Sequence, residues 1–537
     1  MARTTILLAL LVCLVNRSIQ RSLPTDDSYV AAVVEFQVTS NATAAMENYL
    51  RLISEAAEQN ADIVVFPEMT LTRAGYFTVP INSTLKEYPT PALNPELYDD
   101  GMVSISRAAR ENQIYVVVNV QERMDCADAP GEYCPEQKVY LFNTNVVFDR
   151  TGTVIDRYRK INLFGEVTRT PSLDNYLGVF DTDFGVRFGH FICFDLMFQI
   201  PAVQLVEKNR LTDVVFTTMW FSELPYLTAV QIQEAYAYRL GVNFLAAGAN
   251  NVRVGSAGSG IYSGKAGALV STMPGVPTTR LMVARVPKVP GEVTGSYPGP
   301  IYDAPTDHDS LFLITDPSFP SHVSRELTDG RQEFTITDED VTCKFSVTLR
   351  QTEAEVRYKY RAAAFSGVRT FSGIATGGTR LCSIVACAGD TIDTCGTRFP
   401  TYLDDATSTF EELSIIATFP TPVLNTTLTA QDSEFFPISL NVAIMPLEPQ
   451  DTTFTEEIQG PNTVFTYTLE NHDVKLYTFS VWGRVYGWDG YDESPPVGDI
   501  DWDVQPSPGD GEPDSSSVHL LYKMLLLPTL ALMRFVN

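Results

Sequence analysis

The stretch Gly189-His190-Phe191-Ile192-Cys193-Phe194-Asp195 decides the fold that we expect for the first half of this chain. An alternating apolar run over residues 186–192 leads into it and predicts a buried β-strand that ends at a cysteine. In open α/β sheets, ligands bind at the carboxyl ends of the strands. We therefore interpret Cys193 as a candidate nucleophile on the edge of a parallel sheet.

Strand-like and helical patterns alternate on both sides of this stretch and predict a layered α/β domain over residues 23–300. Helical spacing over residues 44–60 lies between strand-like runs at 29–36 and 63–66, the order expected of parallel strands with a crossover helix. Further predicted strands are 114–120, 143–149, 153–158, 213–218 and 244–247, with helices at 102–111 and 230–240.

The second half of the chain has a different character. Residues 296–305 are rich in Pro, Gly and Tyr and predict a linker. Short alternating runs at 334–336, 344–349 and 356–362 follow, with glycine turns and four cysteines between them. They predict a mostly β domain over residues 301–505.

The cysteines predict an oxidising compartment. Of eight cysteines, Cys13 lies in an apolar leader and Cys193 is the candidate nucleophile, which leaves an even set of six. Cys126 and Cys134 are close enough in sequence to form a local loop pair. The other four allow three pairings, among which the sequence does not choose: Cys343, Cys382, Cys387 and Cys395.

Both ends of the chain carry address signals. Residues 1–22 have the charge and the short apolar run of a secretory signal peptide. Residues 506–537, a polar spacer followed by an apolar tail, predict a GPI-attachment signal; a transmembrane helix and an ordinary secreted end are the alternatives. Glycosylation sequons occur at Asn41, Asn82 and Asn425.

The formal net charge of −27 argues against nucleic acid and anionic lipid surfaces as partners, because an acidic surface repels phosphate groups. The five histidines are scattered along the chain, and no metal-ligand cluster is visible in the sequence. We therefore expect no metal and no organic cofactor.

Three chemically useful side chains follow predicted strands, and in a parallel sheet they would meet in one crevice: Glu68, Lys160 and Cys193. A thiol with an ordinary pKa of about 8.5 needs a base at neutral pH. His190 is three residues before Cys193 on an extended strand and so points to the opposite face. Glu68 is the better candidate base, and the Lys160 cation would stabilise negative charge on a carbonyl oxygen.

The segments around these residues resemble the three signatures of the nitrilase, or carbon–nitrogen hydrolase, superfamily. The signatures are Phe66-Pro67-Glu68-Met69, the segment 158–166 that contains Lys160, and the opening stretch around Cys193. Within the superfamily the chain is most similar to vanins and biotinidase, a likeness that also covers residues 143–149, 242–246 and 258–262.

The resemblance implies an α-β-β-α sandwich followed by a β-rich, disulfide-stapled base domain. It implies that Glu68 is the general base and acid, Lys160 the oxyanion stabiliser and Cys193 the nucleophile. Glu166 is either a second glutamate of the pocket or a loop carboxylate. Trp220 either lines the substrate cleft or packs in the core.

The expected function is extracellular hydrolysis of a linear amide through a cysteine thioester. Vanins cleave pantetheine to pantothenate and cysteamine, which makes pantetheine the first candidate substrate. A biotinidase-like amidase that acts on biotinyl-lysine is the alternative enzyme. A non-catalytic ectodomain for adhesion or signalling is the alternative of another class. The expected partners are a small-molecule amide and, through the lipid anchor, a membrane.

Overall fold

The computed structural model describes residues 21–71, 75–79, 82–174, 176–293 and 297–491. Most of the predicted leader and the whole of the predicted anchoring signal lie outside these ranges, so both stay predictions. Within the described part of the chain, no helix is both long enough and apolar enough to cross a bilayer.

The N-terminal half contains two β-sheets and five α-helices among its described residues. The strands are β1 (Ser28–Gln37), β2 (Ile63–Val65), β3 (Tyr115–Asp125), β4 (Val139–Phe148), β5 (Val154–Arg159), β6 (Gly178–Asp181), β7 (Arg187–Ile192), β8 (Asp213–Thr218), β9 (Glu223–Leu224), β10 (Asn243–Asn250), β11 (Ser259–Ser263), β12 (Ala268–Thr272), β13 (Arg280–Pro287) and β14 (Gly299–Ile301). The helices are α1 (Ala42–Glu58), α2 (Asn82–Glu87), α3 (Asp100–Asn112), α4 (Gln204–Asn209) and α5 (Ala229–Leu240).

The first sheet has the order β13-β1-β2-β3-β4-β5, and the second has the order β6-β7-β8-β10-β11-β12-β14. Strands β1, β2 and β3 are parallel to one another, as are β7, β8 and β10. The two sheets also adjoin where Phe36 and Gln37 of β1 pair with Ala249 and Asn250 of β10.

Side-chain packing arranges these elements in four layers. Val33 and Val117 of the first sheet meet Val215 and Leu245 of the second in one apolar cluster between the sheets. Helices α1 and α3 cover the outer face of the first sheet, and α5 covers the outer face of the second. The predicted α-β-β-α sandwich is confirmed. Strands β2 and β7 read as short, mostly apolar runs, as expected where both faces of a strand are buried.

The C-terminal half is built from strands. They are β15 (Ile314–Thr315), β16 (Val323–Glu326), β17 (Gly330–Asp338), β18 (Val341–Arg350), β19 (Lys359–Phe371), β20 (Ala375–Cys387), β21 (Thr409–Pro420), β22 (Leu424–Asn425), β23 (Ala430–Gln431), β24 (Ser433–Asn441), β25 (Thr452–Gln459), β26 (Asn462–Leu469) and β27 (Leu476–Val485). Two five-stranded sheets, β16-β19-β20-β27-β24 and β17-β18-β21-β26-β25, stack face to face with Tyr467 on Phe479 at 3.9 Å between ring centroids.

Three disulfides join the six cysteines that remain when Cys13 and Cys193 are set aside: Cys126–Cys134, Cys343–Cys382 and Cys387–Cys395. Cys343 lies on β18 and Cys382 on β20, so their bond links the two sheets of the second domain. The structure therefore selects one of the three pairings that the sequence left open.

The predicted linker over residues 296–305 is wrong for Gly299–Ile301. These residues form β14 and extend the second sheet of the first domain by parallel pairing with β12. The two domains also share the short parallel pair of β9 with β15. Pro and Gly favour loops, but an edge strand also tolerates both, because one side of its backbone forms no hydrogen bonds to a neighbouring strand.

Candidate active site

Cys193 stands directly after β7 at the start of a short 3₁₀ helix, Cys193–Met197. Its φ of 48° lies in the left-handed region that non-glycine residues rarely occupy, and its side chain is 4% exposed. The Sγ atom lies 3.6 Å from the backbone oxygen of Met219, the residue after β8. A sharp turn at the end of the strand thus presents the thiol at the edge of the sheet. Backbone strain of this kind is often found at active sites.

Asp195 fixes this turn. One carboxylate oxygen accepts hydrogen bonds from the Ile192 backbone N–H (3.2 Å) and the Tyr158 hydroxyl (2.7 Å). The other accepts from the backbone N–H and the side-chain amide of Asn162, at 2.8 and 2.9 Å. The carboxylate therefore ties the turn that carries Cys193 to the segment that follows β5.

Glu68 follows β2 and Pro67 and is almost completely buried. Its Oε1 accepts hydrogen bonds from Lys160 Nζ at 2.8 Å and from the Asn143 side-chain amide at 2.7 Å. Its Oε2 accepts from the backbone N–H of Met219 at 2.8 Å. The carboxylate is thus held from three directions.

Lys160 follows β5, and its side chain is 1% exposed. Besides Glu68, its ammonium group contacts Glu166 Oε1, and Glu166 also accepts from the Asn143 amide at 3.0 Å. The Glu166 carboxylate therefore lies beside Lys160, and a role for it in the substrate pocket stays a prediction.

The charges of the site act on one another. Burial raises the pKa of the Cys193 thiol, and the Glu68 carboxylate raises it further, while Lys160 lowers it. Burial alone would lower the pKa of Lys160, but the neighbouring Glu68, Cys193 and Glu166 raise it above its usual value. At neutral pH the site therefore holds a neutral thiol beside the Lys160 cation, and the thiol needs a base to become a nucleophile.

The backbone of Met219 contacts both Glu68 and Cys193. Its N–H donates to Glu68 and its carbonyl oxygen faces the Cys193 thiol, so carboxylate and sulfur flank the same residue. Three predicted residues therefore converge at the carboxyl ends of β2, β5 and β7.

Sequence reasoning missed Asn143, Asp195 and Met219 as parts of the site. Asn143 carried a signal, because Asn143-Thr144-Asn145 puts three consecutive polar residues into the middle of a strand, and all three are fully buried. Buried polar groups need partners, so such a run points to a polar network. Met219 acts through its backbone and leaves no signal in its residue type.

His190 does not pair with the nucleophile. Its Nε2 lies 2.7 Å from Asp156 Oδ2, and the ring is fully buried beside Tyr158 and Phe180. Histidine therefore has a structural partner here, in keeping with the preference for Glu68 as the base.

A cleft that is open to solvent lies next to Cys193. Its lining is mostly aromatic and apolar: Phe164, Cys193, Phe194, Met197, Trp220, Phe221, Glu223, Leu227, Phe371 and Ser372. Trp220 lines this cleft and is nearly buried, with its indole N–H donating to the Leu227 carbonyl oxygen at 2.9 Å. Trp220 also belongs to the buried apolar cluster behind the cleft, and its role in substrate binding stays a prediction.

The three predicted glycosylation sites lie at or near the ends of helices and on a short strand. Asn41 is exposed at the start of α1, where its side chain accepts from the Ala44 N–H at 3.0 Å. Asn425 is partly exposed on β22, and Asn82 begins α2. Glycosylation at these positions stays a prediction.

Two protein-family profiles match the chain. The profile described as carbon-nitrogen hydrolase matches residues 30–271, and the vanin C-terminal domain matches residues 312–489.

Several curated proteins are similar over most of their length. Vanin-like protein 1 of Drosophila melanogaster is 34% identical over 519 residues, covering 90% of this chain and 90% of that protein. Pantetheinase of Mus musculus is 30% identical over 422 residues, covering 74% and 80% respectively. Biotinidase of Bos taurus is 30% identical over 512 residues, covering 85% and 92%.

Proposed function

This chain belongs to the vanin and biotinidase family of carbon–nitrogen hydrolases, and from that premise we propose that it cleaves pantetheine to pantothenate and cysteamine. The chain is a hydrolase of carbon–nitrogen bonds, an assignment that the two family profiles and the pantetheinase relative carry. A non-catalytic ectodomain finds no support in these matches.

The mechanism rests on the contacts around Met219. Glu68 accepts a hydrogen bond from the Met219 backbone N–H, and the Cys193 thiol lies next to the Met219 carbonyl oxygen. Lys160 forms an ion pair with Glu68. In the proposed first step, Glu68 takes the thiol proton while the sulfur attacks the amide carbonyl carbon. The carbonyl oxygen gains negative charge, which the Lys160 ammonium and the Phe194 backbone N–H stabilise.

The C–N bond then breaks. Glu68 returns its proton to the departing nitrogen, the amine leaves, and the acyl group remains as a thioester on Cys193. Water attacks this thioester with Glu68 as the base. The acid leaves and the sulfur regains its proton, so that the enzyme returns to its starting state.

A substrate panel tests the proposal. Release of pantothenate from pantetheine and of biotin from biotinyl-lysine is measured at several substrate concentrations, with Cys193→Ala as the inactive control. We expect kcat/KM for pantetheine to exceed that for biotinyl-lysine at least tenfold. The reverse ratio would make the protein a biotinidase, an outcome to which the biotinidase relative gives weight. Equal release by Cys193→Ala would contradict the mechanism.

We also propose that the enzyme works outside the cell and is held at the membrane by a GPI anchor. The three disulfides support an extracellular site, because such bonds persist in oxidising compartments. The anchor rests on the sequence pattern of the C-terminal tail.

A further inference from the structure

The second domain reaches into the active site with one hairpin. The turn between β19 and β20 puts the Phe371 ring 5.7 Å from Phe194, the residue after the nucleophile. Ile374 in the same turn packs against Gly165, which lies in the loop between Lys160 and Glu166. A Cβ atom added to Gly165 would be 3.2 Å from the Cδ1 atom of Ile374. The hairpin tip therefore touches both segments that carry the proposed chemistry.

Arg369, two residues before Phe371 on β19, is the centre of a buried charge cluster. Its guanidinium group contacts Glu223 Oε1 on β9 and lies 2.9 Å from Asp316 Oδ2. The exposed fractions of the Arg369, Glu223 and Asp316 side chains are 1%, 5% and 1%. Two carboxylates face one cation, so the cluster carries a net negative charge when all three groups are ionised.

Only one member of this cluster lines the cleft, namely Glu223. Apart from Cys193 and Ser372, the other lining residues are aromatic or aliphatic. Burial raises the pKa of the Glu223 carboxyl, while Arg369 and Ser372, which also lines the cleft, lower it. A carboxylate offers about four acceptor positions, so contacts with Arg369 and Ser372 leave room for another donor.

We propose that Glu223 is a specificity-determining residue, which accepts a hydrogen bond from a hydroxyl or N–H group on the acyl part of the substrate. Because Arg369 fixes the carboxylate from the second domain, the acceptor is held rigidly in an otherwise apolar wall. The net negative charge disfavours acyl groups that end in a carboxylate. The substrate class is then a neutral linear amide with a donor on its acyl chain, which includes pantetheine with its hydroxyl groups.

This inference rests on the proposed amidohydrolase function, and its test needs three acylated cysteamines of equal chain length. Their acyl chains end in a hydroxyl, a methyl or a carboxylate group. For wild-type protein we expect kcat/KM to be at least about tenfold higher with the hydroxyl than with the methyl, the size of one hydrogen bond to a charged acceptor. The carboxylate chain should be the poorest substrate.

Two matched variants separate recognition from stability. Glu223→Leu and Asp316→Asn each leave Arg369 with a single carboxylate, but only Glu223 lines the cleft. We expect Glu223→Leu to lose the hydroxyl preference through a higher KM for the hydroxyl substrate. Asp316→Asn should keep the preference. An equal loss of kcat on all substrates, or an unchanged preference in Glu223→Leu, would overturn the proposal.

Glu223→Gln is the replacement test if Glu223→Leu does not fold. With Arg369 holding its amide oxygen, its NH₂ group would face the cleft, and kcat/KM for the carboxylate chain should rise at least about tenfold. No rise would contradict the proposal.

Alkylation of Cys193 by chloroacetamides with the same three end groups, followed by mass spectrometry of its peptide, gives a readout without hydrolysis. A hydroxyl preference there that Glu223→Leu removes would support the recognition site even if no amide were cleaved. In that case the proposed function alone would fail. Equal alkylation of wild-type protein by all three reagents would count against the recognition site.

Discussion

The carboxylate of Asp195 connects the candidate nucleophile with the candidate cation. It binds Ile192 on one side of Cys193 and Asn162, two residues beyond Lys160. All four contacts of the Asp195 carboxylate are hydrogen bonds that it accepts. In Asp195→Asn, the new NH₂ group would face one of these donors and could not accept a hydrogen bond from it. Asp195 is therefore a positioning residue that touches no reacting atom.

We expect Asp195→Asn to lower kcat/KM at least tenfold and to cost about 1–3 kcal/mol of unfolding free energy. Asp213→Asn is the matched control, because burial raises the pKa of both carboxyls to about 6 and Asp213 also accepts from a tyrosine and an asparagine. Asp213 begins β8 and Met219 follows its end, about 20 Å away. The control should lose stability without losing kcat/KM; equal kinetic effects in both variants would contradict the positioning role.

Glu35 predicts a dependence of stability on pH. It is fully buried on β1 and accepts from Asn250, Gly258 and Ser259, and burial raises its pKa from 4.5 to about 7. A raised carboxyl pKa stabilises the fold below pH 4.5, and this contribution is lost as the pH rises through 7. Its size is about 3 kcal/mol between pH 4 and pH 8.

Urea unfolding at pH 5 and pH 8 measures this effect. The loss of unfolding free energy between the two pH values should be smaller in Glu35→Gln than in wild-type protein, because the amide does not titrate. Identical losses in the two proteins would show that Glu35 does not titrate in this range.

The positions of Glu68, Lys160 and Cys193 at the strand ends could be predicted because Glu68 and Cys193 follow apolar runs and Lys160 follows the strand-like segment after the Thr151-Gly152 turn. Their partners were harder to predict. Met219 contributes only backbone atoms, and Arg369 and Glu223 are 146 residues apart in sequence. A contact of that separation depends on how the two domains pack, which no local pattern encodes.

At the level of elements, most strands and helices of the first domain were predicted within a few residues, since their hydrophobic period is clear. The sequence analysis did not predict β6, β9, β11, β12 and β13. It predicted a linker at β14, where Gly299-Pro300-Ile301 reads as loop sequence but pairs with β12. Tertiary packing overrides local propensity at such an edge position. The consequence is that the joint between the domains is a strand of the first domain and not a free linker.

The Cys343–Cys382 bond should stabilise the second domain more than Cys126–Cys134 stabilises its loop. The bonds close loops with sequence separations of 39 and 8 residues, for which the chain-entropy relation gives about 4 and about 2.5 kcal/mol. Replacing each pair by alanines and measuring urea unfolding tests this order. A larger loss from the Cys126/Cys134 double variant would contradict the loop-length argument.

The whole molecule combines a strongly acidic chain, disulfides and two predicted address signals. We expect a phosphatidylinositol-specific phospholipase to release the full-length protein from the surface of cells that express it. Immunoblots of the medium and of the cell fraction before and after treatment measure the release. Protein that stays with the membrane after treatment would favour a transmembrane tail, and protein already in the medium would favour an ordinary secreted end.

Under the proposed mechanism, amide cleavage passes through a thioester on Cys193. The most direct measurement is acid quenching during turnover of pantetheine, followed by digestion and mass spectrometry of the peptide that contains Cys193. We predict that this peptide carries the acyl mass of pantothenate, that hydroxylamine removes it, and that Glu68→Gln abolishes its formation. Steady amide cleavage with no acyl group on Cys193, or cleavage that persists in Cys193→Ala, would contradict the account.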